Sequence, residues 1–274
     1  MDPSGGGIMN SYAENPAELE ACHHYIQDRV FPLIYMVSSD CAFVRGTGFM
    51  IKYKNVNYLI TARHVLEEED GIEYKNIAFP IFGQNKVTWS LPSAPYFSAA
   101  ESGADFAVVP LVYKEEILKD MFWKPFEMDA FYSESSLYTN QAIFVNGFPR
   151  EMQKEIYGNT NINIGSLGFL TKLYSGDYND VNDYNEKVDI VFDYKEEMMI
   201  NGDSKKIPAL QGISGSPMFC IDHSIEGIWA PSSSLKIIGM EKSVKYGKYI
   251  RATKASCIYK SLISLLNNIR FEST

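Results

Sequence analysis

The chain has 274 residues, a formal net charge of −9 and a pI near 5.0, with 46% hydrophobic and 14% aromatic residues. That apolar content excludes global disorder, and the acidic balance excludes a nucleic-acid binder driven by phosphate neutralisation. The four cysteines, Cys22, Cys41, Cys220 and Cys257, have neither metal spacing nor the density of a disulfide framework.

Residues 1–14 read as a flexible leader without the basic patch and apolar run of a signal peptide. No apolar run approaches the ~20 residues of a membrane span. The expectation is a cytoplasmic protein with reduced thiols and with no membrane or nucleic-acid partner.

Asn15-Pro16-Ala17-Glu18 is a helix start, and Leu19, Cys22, Ile26 and Val30 follow at helical spacing. His23 and His24 are adjacent on this helix, about 100° apart, so they cannot chelate one metal and read as surface residues. Strands then follow at Phe31 to Val37, Cys41 to Val44, Gly46 to Ile51 and Asn57 to Thr61, with a hairpin connection at 52–56. The last runs directly into Ala62-Arg63-His64-Val65-Leu66. Further strands are predicted at Ile77 to Phe82 and Val87 to Leu91, and Gly103-Ala104-Asp105 heads another.

Residues 113–140 form a connector with one short helix around 117–122. It separates residues 15–112, holding the first set of strands, from 141–274, holding the second. The second set comprises Ala142 to Val145, Leu167 to Leu173, Val188 to Tyr194, Pro217 to Ile221, Ile225 to Trp229 and Tyr249 to Ala252. The acidic stretch 175–186 lacks the register of an EF-hand loop and reads as a solvated turn. Ile258, Leu262, Leu265, Leu266 and Ile269 mark an amphipathic C-terminal helix. Many short strands between two terminal helices predict an all-β barrel or sandwich.

Three stretches carry chemistry: Thr61 to Val65, Asp105 to Val108, and Gly212-Ile213-Ser214-Gly215-Ser216-Pro217. A serine hydroxyl needs a base near neutrality, which His supplies, and the His needs a carboxylate to hold its tautomer. Glycines around Ser214 permit a turn that presents the hydroxyl while the amides of Gly212 and Ser214 converge as an oxyanion hole. His223 is a weaker candidate base, nine residues beyond Ser214 in a predicted turn.

At these residues the chain resembles the trypsin-like, chymotrypsin-fold serine peptidases, in the style of their bacterial and HtrA-type branch. Gly46-Thr47-Gly48-Phe49 matches the family's strand ahead of the histidine segment, and the three stretches above match its triad motifs in order. The resemblance covers about residues 30–266. It implies two packed, six-stranded antiparallel β-barrels forming one protease domain. His64 would be the general base, Asp105 its orienting carboxylate and Ser214 the nucleophile, with no metal or organic cofactor.

It further implies a substrate pocket built from Pro208, Ala209, Trp229, Ala230, Ser232 and Ala252. Six positions before Ser214 stands Pro208, so the acid that would meet Lys or Arg is missing, and small uncharged side chains are the expected preference. Two departures stand out. The interval from Asp105 to Ser214 is long, and the cysteines do not match the disulfides of secreted members. The expected function is a serine endopeptidase acting on a protein or peptide substrate, with an activating protein partner as the expected route of control. The alternative is a latent or catalytically silent protease-fold module that binds peptides or proteins.

Overall fold

The structure, a computed structural model, describes residues 16–38, 41–67, 73–80, 88–98, 103–112, 121–132, 137, 141–155, 162–195, 197–200, 203–223 and 229–268. Helix α1 (Pro16–Gln27) leads into β1 (Val30–Ser38), β2 (Cys41–Tyr53) and β3 (Val56–Thr61). One helical turn, α2 (Arg63–Leu66), precedes β4 (Ile77–Pro80), β5 (Thr88–Ser90), β6 (Tyr96–Phe97), β7 (Ala107–Pro110) and β8 (Phe126–Glu127). The second half holds β9 (Ile143–Gly147), β10 (Gln153–Glu155), β11 (Ile162–Ile164), β12 (Leu167–Thr171), β13 (Asp189–Asp193), β14 (Glu197–Ile200) and β15 (Asp203–Lys206). It continues with β16 (Pro217–Ile221), the short α3 (Pro231–Ser234), β17 (Leu235–Lys245), β18 (Tyr249–Lys254) and α4 (Ala255–Asn268).

The fold is mostly β and its sheets are antiparallel, apart from a short parallel pairing of β8 with β2. The two main sheets run β5-β4-β1-β2-β3-β7-β6, with β8 paired beside β2, and β12-β9-β16-β17-β18-β13; β10 with β11 and β14 with β15 form two separate two-stranded sheets. The outer strands of the second sheet approach each other, because Leu173, just past β12, bridges to Phe192 of β13. Lys54 and Asn55 have positive φ, the conformation a tight hairpin needs between β2 and β3. Cys41 to Val44 and Gly46 to Ile51 belong to one strand, bulged at Arg45: Leu33 pairs with Gly46 and Ile34 with Val44, leaving Arg45 without an opposite residue.

The largest apolar core joins the halves. It takes Cys22 and Ile26 from α1, Phe31 and Phe49 from the first sheet, Phe219 and Ile237 from the second, and Ile258 and Leu262 from α4. Phe126 and Phe219 meet ring to ring at 5.7 Å across it. A second core fills the other sheet with Val145, Phe192, Ile213, Met218, Ile238 and Ile250. Ile258 and Leu262, four apart, are fully buried, as the pattern of the terminal helix requires.

The sequence reading places no strand at 235–245, where β17 runs. The strand expected at Ile225 to Trp229 falls on residues 224–228, which lie outside the described residues, and on Trp229, which belongs to no strand. In the connector, 113–120 lie outside the described residues and 121–125 carry no helix. Among the described residues, no helix is long and apolar enough to cross a membrane.

Candidate active site

The histidine is held by its backbone. Thr61 closes β3 by donating from Oγ1 to Thr47 O at 2.7 Å, and the chain turns at once into α2. Val65 and Leu66 are buried and pin that turn. Arg45, turned out by the bulge in β2, donates to His64 O at 3.0 Å and to Val65 O at 3.4 Å. A guanidinium thus satisfies carbonyls that so short a helix leaves open.

Asp105 enters from the loop ahead of β7. Ser98 ties that loop together, donating from Oγ to Ala104 O and accepting from Phe106 N. Asp105 N in turn donates to Thr253 Oγ1 at 3.3 Å. The carboxylate grips the histidine twice: Oδ2 lies 2.6 Å from Nδ1, and Oδ1 accepts from His64 N at 3.2 Å. A carboxylate only accepts, so Nδ1 carries the proton and Nε2 keeps its lone pair.

Burial pulls the His64 pKa down, but the hydrogen bond and charge of Asp105, joined by Glu241 and opposed by Arg45, raise it above the usual 6.5. Burial likewise pushes Asp105 up; the bonds and charge of His64, with help from Lys242, outweigh this and hold the carboxyl below its usual 3.8.

The serine turn is a glycine device. Gly212 has φ +102° and Gly215 φ +92°. A Cβ on Gly215 would stand 2.1 Å from Thr47 O and 2.3 Å from Thr61 Oγ1, so only glycine lets the turn seat on β2 and β3. Seating is completed by Thr47, whose amide donates to Ser214 O at 2.8 Å and whose hydroxyl donates to Gly212 O at 2.9 Å. Ile213 N and Ser216 N bond within the turn, and Gly215 N bonds to Glu241 O. Among the described residues the amides of Gly212 and Ser214 donate to no acceptor.

His64, Asp105 and the Ser214 turn therefore share one junction between the sheets. Among the described residues, however, no hydrogen bond joins His64 Nε2 to Ser214 Oγ. The Ser214 hydroxyl acts instead on the carboxyl of Glu241, favouring its ionised form. Sequence reading missed this residue. The available signal was an acid inside the apolar run Ile237-Ile238-Gly239-Met240-Glu241, where a buried charge is the informative exception.

The expected pocket residues do not assemble. Pro208 and Ala209 line a cleft of about 420 Å³ with Glu151, Tyr194 and Tyr246. Ala209 N donates to the Glu151 carboxylate, and Leu210 N to Tyr246 OH at 3.1 Å. Ala252 is fully buried opposite Glu241 on β18. Trp229, Ala230 and Ser232 stand at the other end of the β16–β17 hairpin, where Asp222 N meets Ser234 O and Ile221 pairs with Leu235. Strands rise about 3.3 Å per residue, so the length of β16 separates these three from Ser214. His223 lies at that distant end as well, 3.6 Å from Glu18 of α1.

No family model matches the chain, and no curated protein does. A solved structure described as "Aromatic interactions drive the coupled folding and binding of the intrinsically disordered Sesbania mosaic virus VPg protein" is similar over 84% of this chain and 89% of its own. The identity is 13% and the TM-score 0.45, too shallow a likeness to carry any argument about fold or function.

Proposed function

We propose that this chain is a trypsin-like serine endopeptidase, its two main sheets forming the two β-barrels of that fold. The observation that carries the reading is the 2.6 Å contact of His64 Nδ1 with Asp105 Oδ2 beside the glycine turn of Ser214. The meeting of the outer strands at Leu173 and Phe192 supports closure of the second barrel.

In this reading His64 Nε2 takes the Ser214 proton as Oγ attacks the peptide carbonyl. The amides of Gly212 and Ser214 hold the resulting oxyanion, and the imidazolium returns the proton to the leaving amine. Water, deprotonated by the same His64, then cleaves the acyl-enzyme. Asp105 stays ionised throughout and stabilises the imidazolium. The cleft beside Pro208 and Ala209 is the proposed seat of the side chain preceding the scissile bond.

A fluorophosphonate probe tests the reading, since it reacts only with an activated serine. The expected result is one adduct on Ser214 that disappears in Ser214→Ala. The rival reading, a latent or silent module that binds peptides, draws on one observation: among the described residues no hydrogen bond joins the Ser214 hydroxyl to His64. A chain that binds peptide yet takes no adduct would be that module, and labelling restored by a second protein would identify an activating partner.

A further inference from the structure

From Ile237 to Lys242 every residue of β17 is buried, and the run ends on two adjacent charges. Lys242 is matched, with Nζ 2.5 Å from Asp189 Oδ1. Glu241 is not. It is 1% exposed, and its Oε2 has no hydrogen-bond partner among the described residues. Its amide donates to Ser216 O at 2.8 Å and its carbonyl accepts from Gly215 N at 2.9 Å, so the backbone locks this residue against the nucleophile turn.

The groups acting on the carboxyl come from every neighbouring element. They are Ser214 in the turn, His64 on α2, Asp105 ahead of β7 and Arg251 on β18. Arg251 is itself shared with Asp189 at 3.7 Å, and Lys242 is turned toward Asp189 and Gly103. A half-satisfied buried carboxyl costs stability, so its placement against a reactive hydroxyl calls for a chemical reason.

We propose that Glu241 is a positioning residue for Ser214. When neutral it donates to Oγ and leaves the hydroxyl proton for His64 Nε2; when ionised it accepts that proton's hydrogen bond and turns the hydroxyl away from the base. This rests on the peptidase reading above. Burial, with the charge of Asp105, pushes the Glu241 pKa up to about 8, against the pull of His64, the Ser214 hydroxyl and Arg251. Below that value the neutral acid sets the competent arrangement, and above it the carboxylate withdraws the nucleophile. His64 must lose its proton for activity while Glu241 must keep its own, so turnover is confined between the two.

Two measurements on the full chain test this. The first is ¹³C NMR of glutamate-labelled protein, with the Glu241 carboxyl identified by its absence in Glu241→Gln. The expected midpoint is about 8, moving higher in Ser214→Ala, because the lost hydroxyl had favoured the ionised form. The shift in Ser214→Ala identifies the signal independently if Glu241→Gln fails to fold. A midpoint in the ordinary glutamate range of about 4.3, or one unmoved by Ser214→Ala, overturns the proposal.

The second measurement is the rate of fluorophosphonate labelling against pH. In the wild type it falls about tenfold per pH unit above the Glu241 midpoint. In Glu241→Gln, whose amide donates as the neutral acid does, it stays level. An alkaline fall that persists in Glu241→Gln also overturns the proposal. The expected titration without labelling at any pH overturns the peptidase reading and leaves the coupling of Glu241 to Ser214 standing.

Discussion

Lys242 and Asp189 form an ion pair at 2.5 Å with side-chain exposures of 6% and 0%, and Lys242 Nζ also donates to Gly103 O at 2.9 Å. One ammonium therefore ties β17 and β13 to the loop that carries Asp105. Removing one partner of a buried pair strands the other charge. Lys242→Met is expected to cost about 3–5 kcal/mol in denaturant unfolding. The double variant Asp189→Leu/Lys242→Met should recover part of this, and a single variant as stable as wild type would contradict the pairing.

The nucleophile is tested by rate. On a peptide substrate, Ser214→Ala should lower turnover by a factor on the order of 10⁶. Asp105→Asn should lower it by about 10⁴ with the fold intact, because the amide favours the wrong imidazole tautomer. Turnover that survives Ser214→Ala would remove the assignment.

The pH dependence at low pH follows from His64. The base works only when neutral, and Asp105 raises its pKa above 6.5. The acid limb of kcat/KM should therefore have its midpoint above 6.5, with activity lost as pH falls through it. In Asp105→Asn that bond and charge are gone, leaving burial and Arg45 opposed by Glu241 alone, so an imidazole NMR titration should find His64 lower than in the wild type. A midpoint unmoved by that change would separate the two residues.

Much of this geometry is legible in the sequence, and the reasons differ by residue. β16 could be read at its true limits because Pro217 opens an apolar run that a turn closes. His64 and Asp105 could be named because Thr61 to Val65 and Asp105 to Val108 match the triad motifs of the resembled family in order. β17 was missed because Gly239, Glu241 and Lys242 break its apolar pattern; both charges are buried for tertiary reasons that no window of sequence contains. With β17 unread, nothing set the length of the β16–β17 hairpin, whose far end holds Trp229, Ala230 and Ser232.

The glycines of the turn separate two kinds of cost. Gly215→Ala imposes a positive φ and drives a Cβ into Thr47 O, so a loss of about 3 kcal/mol or more is expected. Gly103 also has positive φ, but among the described residues its added Cβ would meet Asn185 Nδ2 alone, at 3.4 Å. Gly103→Ala should cost about 1 kcal/mol, the conformational part alone. Chemical denaturation of both variants checks the difference, and equal losses would deny the close seating of the serine turn.

Specificity should follow the cleft and ignore the indole. Tyr246 lines the cleft and its hydroxyl accepts from Leu210 N, so Tyr246→Ala should alter the preferred residue before the cleaved bond in a peptide-library profile. Trp229→Ala should leave the profile unchanged. A profile changed by Trp229→Ala and indifferent to Tyr246→Ala would reverse this placement.

Thr47 gives the molecule a property of a different kind. A residue of the first sheet, it holds Ser214 O and Gly212 O and accepts from Phe148 N, so one side chain and its amide clamp the turn of the other half. In the peptidase reading, base and nucleophile thus come from opposite halves and are aligned only where those halves touch. The centre is a report on their association, in the manner of a split reporter. Fragments 1–112 and 113–274, supplied separately, would together carry His64, Asp105 and Ser214 and still be inert until they docked.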